Sequence, residues 1–134
     1  MARYLLDTNH LSAVLDDRSA LRERLYQSLK SGHRIATCVP VLCELETGIY
    51  QTRRRDHNRR VLAVFLRQIR IWPLTPAIAP LYAEAYHDLR ARGRVLSQVD
   101  MILSALARSM NATILTSDRD FEALPDLHVE NWLE

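Results

Sequence analysis

Four carboxylates at four separated places are the residues of this sequence best suited to chemistry: Asp7, Glu44, Asp100 and Asp118. Asp7 directly follows the apolar run Arg3-Tyr4-Leu5-Leu6, and Asp118 stands two residues past Thr113-Ile114-Leu115-Thr116. Both runs read as strands, and in an open parallel sheet ligands bind beyond the carboxyl ends of the strands. Glu44 and Asp100 fall on helices, each at the margin of an apolar stripe. At about 100° per residue, Asp100 lies beside Ser104 and Ala107, at the edge of a face centred on Val99, Leu103, Leu106 and Met110. Glu44 borders the Val41, Leu45 and Ile49 stripe, one turn before Gly48, which removes bulk and permits close approach of a ligand or backbone. Like charges gathered in one place need a counter-ion, and carboxylate oxygens suit hard divalent cations such as Mg²⁺ or Mn²⁺. A centre of that kind orients a phosphodiester and activates a water for in-line attack.

Each acid taken alone has a plainer explanation. Asp7 can cap the helix that follows it, and Asp118 the turn that starts at Arg119. Ser97-x-x-Asp100 matches a capping box, with Asp where Glu or Gln is usual. Glu44 lies near a helix N-terminus, where the dipole favours an acid. Spacing along the chain leaves open whether the four converge in space.

The elements that must position them alternate strand and helix. Residues 3–6 form a first strand, and Thr8 or Asn9 can cap a short helix to about Leu15. Ser19 opens a second helix with Leu21, Leu25 and Leu29 four apart, ended by Gly32. Residues 34–38 make a second strand, and Pro40 fits the first turn of the helix bearing Glu44. Residues 51–60 (QTRRRDHNRR) read as a polar, basic break, after which Val61, Leu62, Phe65, Leu66 and Ile69 resume helical spacing. Residues 71–74 are a short extended piece. A helix carrying Ile78, Leu81, Tyr82, Ala85 and Leu89 ends near Gly93, and Ser97 starts the Asp100 helix. Residues 113–116 are a strand, Asp118 to about Leu124 a helical turn, and residues 128–131 a last edge strand. This order predicts one α/β domain over residues 1–134, with a central, mostly parallel sheet flanked by helices.

The acids sit in a recognisable context. LLDTN at 5–9, CELETG at 43–48, VDMILSALA at 99–107 and LTSDRDF at 115–121 resemble the four acidic motifs of PIN domains, and most of all those of VapC-type toxins. The tail, LPDLHVENW at 124–132, is similar to the family's ending, so the resemblance spans nearly the whole chain. It implies that Asp7, Glu44, Asp100 and Asp118 gather at one pocket and hold Mg²⁺ or Mn²⁺. It implies an endoribonuclease that leaves a 3′-hydroxyl and a 5′-phosphate, with Thr8 and Thr116 as polar helpers. Asp120, two residues on, is the rival to Asp118 for the fourth position. It further implies a homodimer silenced by a cognate VapB-type antitoxin, making the chain the toxin of a type II pair.

Bulk properties agree with a soluble single domain. The chain has 134 residues, 48% hydrophobic and 25% charged, which is enough to bury a core. No apolar run is long enough for a membrane span, and the N-terminus lacks a signal peptide's apolar stretch, so a cytoplasmic protein is expected. Cys38 and Cys43 form neither a CxxC pair nor a zinc-finger spacing and are expected to stay free. The formal net charge is only +2, yet of the 18 basic residues Lys30 is the single Lys. Guanidinium groups suit phosphates, but the runs Arg53-Arg54-Arg55, Arg59-Arg60 and Arg90, Arg92, Arg94 are read first as solvated faces. Tyr50 and the two Trp residues are read as packing. His10, His33, His57, His87 and His128 show no metal-binding spacing and are given no metal role.

Rival enzymes are poorly served. A phosphoacceptor receiver domain needs a Lys near its Asp, and Lys30 lies in an early helix; a haloacid dehalogenase-type phosphatase needs DxDxT where this chain has Asp7-Thr8-Asn9. The alternatives that stay open are a catalytically silent RNA- or protein-binding domain, and DNA in place of RNA as the substrate.

Overall fold

A computed structural model describes all 134 residues. Five strands, β1 (Arg3–Leu6), β2 (Arg34–Thr37), β3 (Arg70–Ile71), β4 (Thr113–Leu115) and β5 (His128–Glu130), form one sheet in the order β3-β2-β1-β4-β5. Every neighbouring pair is parallel. The sheet is thus entirely parallel, where the sequence pattern promised only a mostly parallel one. Helices α1 (Thr8–Ala13) and α2 (Leu21–Lys30) connect β1 to β2, α3 (Val39–Tyr50) and α4 (Arg55–Leu66) connect β2 to β3, and α5 (Ile78–Ala91) and α6 (Gln98–Met110) lead to β4. A 3₁₀ turn at Arg119–Ala123 separates β4 from β5.

Helices on both faces explain the strand composition. Leu5 and Leu6 are consecutive and both fully buried, as are Ile114 and Leu115. A strand covered on both faces carries a continuous apolar run rather than an alternating one. The edge strand β3 has both residues exposed, which is how a parallel sheet ends without offering a long apolar edge.

The topology sets the place of the site. From β1 the chain first winds outward through β2 to β3, then returns to the other side of β1 for β4 and β5. The order therefore switches direction between β1 and β4, and the crevice beyond their carboxyl ends is the natural ligand position of such a sheet. Asp7 and Asp118 both emerge there. The Asp7 N–H donates to the Leu115 carbonyl at 3.2 Å, extending the β1–β4 ladder by one step past Leu6.

Several boundaries differ from the expected ones for physical reasons. Asp7, rather than Thr8 or Asn9, caps α1, its Oδ1 accepting from the His10 N–H at 2.8 Å. Helix α2 begins at Leu21, with Ser19 Oγ accepting the Leu21 N–H. The polar break is shorter than residues 51–60, because α4 starts at Arg55. Its first turns are built of polar residues, of which Arg55, His57 and Asn58 are half-buried, and so carry no apolar period, while Arg55 covers the Tyr50 ring at 3.7 Å and donates to the Tyr50 carbonyl. Helix α6 buries Leu103 through Ala107 without interruption, since it lies between the sheet and α5, while Val99 and Met110, expected on its apolar face, lie near its two ends and are only half-buried. Asn111 ends it in the left-handed conformation at φ 51°.

The 3₁₀ turn that follows Asp118 is pinned by Phe121, which is fully buried. Phe121→Ala should lower the unfolding free energy by about 3–5 kcal/mol, against less than about 0.5 kcal/mol for exposed Val64→Ala. Urea denaturation measures both, and equal small losses would mean that the turn is not anchored by this ring.

Candidate active site

Asp7 leaves the end of β1 and is 5% exposed. Its Oδ1 takes the His10 N–H at 2.8 Å and lies 3.1 Å from His10 Nδ1, so the capping role and a site role use the same side chain. Oδ2 has no protein partner. Glu44 sits in the second turn of α3 and is exposed. Thr8 Oγ1, at the start of α1, donates to Glu44 Oε1 at 2.6 Å and ties the two helices together. Thr8 thus supports the second acid, across 36 residues of chain, rather than the first one beside it.

Asp100 lies in the first turn of α6, half-buried, with its N–H on Ser97 Oγ at 3.1 Å. Asp118 caps the 3₁₀ turn, its Oδ1 accepting the Asp120 N–H at 2.8 Å. The buried Thr116 Oγ1 accepts the Asp118 N–H at 3.0 Å and so fixes the backbone of the fourth acid. Asp120 points elsewhere. Arg94 grips its Oδ1 through Nη2 at 2.7 Å and Nε at 3.0 Å. That pair joins the α5–α6 loop to the turn, and it leaves Asp118 as the member of the rival couple that faces Asp100.

The four acids form one electrostatic group. Burial pushes the Asp100 carboxyl up to about 6; hydrogen bonding with Ser97 opposes the rise, and the charges of Asp118, Asp7 and Glu44 add to it. No arginine relieves them. Asp16, Asp17, Glu46, Asp88, Asp120 and Asp126 all have an Arg within 4 Å, but none of the four clustered acids does. In a chain so rich in Arg, a half-buried negative cluster without a guanidinium fits a divalent cation. The donors are all oxygen, as Mg²⁺ and Mn²⁺ require. No three His, Cys, Asp or Glu side chains stand close enough to grip one ion directly. An ion held here would therefore keep several of its waters and take one or two carboxylates, as Mg²⁺ commonly does.

Two clefts open beside the cluster. Glu44 lines one of about 370 Å³ together with Thr8, Asn9, Ser12, Gly48 and Asn58. A Cβ on Gly48 would meet nothing within 4 Å, so the glycine keeps this wall low beside the carboxylate. Asp118 lines a second cleft of about 240 Å³ with Thr116, Ser117, Arg119 and Asn131.

The basic runs divide. Arg53, Arg54 and Arg60 are exposed, Arg59 pairs with Glu46 at 3.3 Å, and Arg94 is committed to Asp120. Tyr50 is 58% exposed, more than packing requires, with the Arg55 guanidinium over its ring. Cys38 and Cys43 are free, as expected. Trp72 and Trp132 are buried. Two participants were missed in the sequence: His10 against Asp7, and Arg94 against Asp120. For His10 a signal existed, since position i+3 from a helix-capping Asp lies above it on the same face. For Arg94 there was none.

Comparison with known proteins places this geometry in context. Residues 4–127 match the PIN domain family. The chain is 26% identical over 130 residues to Ribonuclease VapC2 of Rickettsia felis, covering 96% of this chain and 97% of the relative. It is 25% identical over 134 residues to Ribonuclease VapC2 of Haemophilus influenzae, covering 99% and 100%. The structure of Rickettsia felis VapBC2 bound to a DNA fragment from its promoter superposes with a TM-score of 0.87 at 26% identity, covering 97% of this chain and 98% of the matched one. VapBC-1 from nontypeable Haemophilus influenzae shares the fold, with a TM-score of 0.83 at 20% identity over 98% and 99% of the two chains.

The Asp100 shift has a stability consequence of definite sign. A carboxyl raised in the folded state from 3.8 to about 6 binds protons more tightly there than when unfolded, so it costs stability above about pH 6 and none below the unfolded value. In EDTA, Asp100→Asn should therefore melt higher than the parent at neutral pH. The gain should shrink as the pH falls through about 6 and vanish near 4. Calorimetry across that range checks it, and a variant that melts lower at neutral pH would show that the charge is not under strain.

Proposed function

This chain belongs to the PIN-domain family, and from that premise we propose that it is a metal-dependent endoribonuclease, the toxin of a type II toxin–antitoxin pair. One observation carries the reading. The charges of Asp118, Asp7 and Glu44 all act on Asp100 near the switch point of a parallel sheet, and none of the four carboxylates has an arginine partner. The relatives named Ribonuclease VapC2, aligned over nearly their whole length, support RNA as the substrate class. The Rickettsia felis VapBC2 complex of matching fold supports a VapB-type antitoxin as partner, and a homodimer is the assembly that the family resemblance implies.

Asp7, Glu44, Asp100 and Asp118 would hold Mg²⁺ or Mn²⁺. Bound there, the ion supplies the charge that draws in a phosphodiester and lowers the proton affinity of a water for in-line attack. The chain's own part is orientation. Asp7 and Asp118 each commit one oxygen to a backbone N–H, and Glu44 commits one to Thr8, so each carboxylate is fixed by the fold and keeps a second oxygen for the centre. The low wall at Gly48 leaves room beside Glu44 for an extended strand of nucleic acid. Exposed Arg53, Arg54 and Arg60 supply the sequence-independent attraction to phosphates.

The test is cleavage of a labelled structured RNA, and of single- and double-stranded DNA of the same sequence, with Mn²⁺ or with EDTA. Asp7→Asn should cut RNA at least about a hundredfold more slowly while staying folded, and Asp120→Asn should cut at the parental rate. Cleavage that survives EDTA or Asp7→Asn would overturn the metal mechanism. Cleavage of DNA alone would overturn RNA as the substrate, and none on any nucleic acid would favour a silent binding domain.

A further inference from the structure

We propose that His10 is a positioning residue for the site, transmitting a hydrogen bond from the C-terminal segment of the chain to the Asp7 carboxylate. The inference rests on the reading of Asp7 as a metal-holding acid. His10 lies in the middle of α1 and is 0% exposed. A buried histidine is ordinarily a packing residue, but here both ring nitrogens are engaged, and in a fixed direction. The Trp132 N–H donates to His10 Nε2 at 3.1 Å. A backbone N–H only donates, so Nε2 carries the lone pair and the ring proton sits on Nδ1. Nδ1 then donates to Asp7 Oδ1, at 3.1 Å. With the His10 N–H on the same oxygen, Oδ1 takes two donors and Oδ2 takes none.

The far end of this relay is firmly held. The Trp132 ring lies under the Arg24 guanidinium at 4.0 Å and against the Tyr4 ring at 4.8 Å. Its Nε1–H donates to Glu130 Oε1 at 3.0 Å. Tyr4 belongs to β1, the strand that delivers Asp7, so the tail and the acid are referred to the same strand. Outer-shell partners of this sort set the orientation of a ligand and are commonly worth 10- to 100-fold in metal affinity. Usually a carboxylate orients a ligating histidine; here the histidine orients the carboxylate.

Mn²⁺ titration, read by the electron paramagnetic resonance signal of the free ion, separates positioning from packing. His10→Leu should bind Mn²⁺ about 10- to 100-fold more weakly. His10→Asn, whose Nδ2 takes the place of Nδ1 and can donate to Asp7 but which has nothing in the place of Nε2, should bind between His10→Leu and the parent. Packing alone predicts the reverse order, because Asn loses volume and adds a polar group to the core. Leu binding like the parent, or Asn failing as badly as Leu, would overturn the proposal. A folded parent that binds no Mn²⁺ would overturn the metal-site reading and this inference with it. The tautomer needs no variant: in the ¹⁵N-labelled parent, His10 should carry its proton on Nδ1, and an Nε2-protonated ring would refute the relay.

Discussion

Repulsion among carboxylates is the constraint around which the rest of this molecule is arranged. Asp100 is half-buried and feels the charges of Asp118, Asp7 and Glu44, and no guanidinium stands within ion-pair distance of any of the four. Left to itself such a group would spread apart or take up protons. It is held because three of the acids sit at the starts of helical segments: Asp7 caps α1, Asp100 is in the first turn of α6, and Asp118 caps the 3₁₀ turn. Unpaired N–H groups and the positive end of the peptide dipoles offset part of the repulsion there. Glu44, inside α3, has no such help and is the most exposed of the four. Water screens it, and the Thr8 hydroxyl fixes it. Capping and function are thus one arrangement seen from two sides.

That arrangement requires the sheet order. Asp7 and Asp118 are far apart along the chain, yet β1 and β4 are hydrogen-bonded neighbours, and the Asp7 N–H closes the ladder on Leu115. In any order that placed another strand between β1 and β4, the first and fourth acids would be about one further strand spacing apart, roughly 5 Å, and the mutual field on Asp100 would fall. The uninterrupted burial from Leu103 to Ala107 serves the same end. Packed by both the sheet and α5, helix α6 cannot turn Asp100 away from the cluster.

Much of this was legible in the sequence because it is local. Strands covered on both faces announce themselves as continuous apolar runs, and Ser97, Pro40 and Gly32 mark helix ends by their own chemistry. The positions of Asp7, Asp100 and Asp118 at such ends were visible for the same reason. What could not be seen depends on partners distant in the chain. The choice between Asp118 and Asp120 is made by Arg94, 26 residues away, and the support of Glu44 by Thr8 spans 36. His10 connects to Trp132 across 122 residues. The place of His10 three residues after a helix-capping Asp was a local signal for its contact with Asp7, but nothing local marks its link to Trp132. The start of α4 was hidden differently, because a first turn of polar residues leaves no apolar period to find.

Arginine is distributed unevenly around these acids. Charges on this chain nearly cancel, +2 in all, but they are not mixed evenly. Guanidinium groups pair with Asp120 through Arg94 at 2.7 Å and with Asp126 through Arg108 at 2.8 Å, while none pairs with Asp7, Glu44, Asp100 or Asp118. Exposed Arg53 and Arg54 stand in the turn between α3 and α4, next to Thr52, which lines the same cleft as Glu44 and Asn58. A polyanion is therefore attracted to the rim and repelled by the centre. Under the proposed function, those opposed fields would let a phosphate approach the carboxylates only where a cation stands between them.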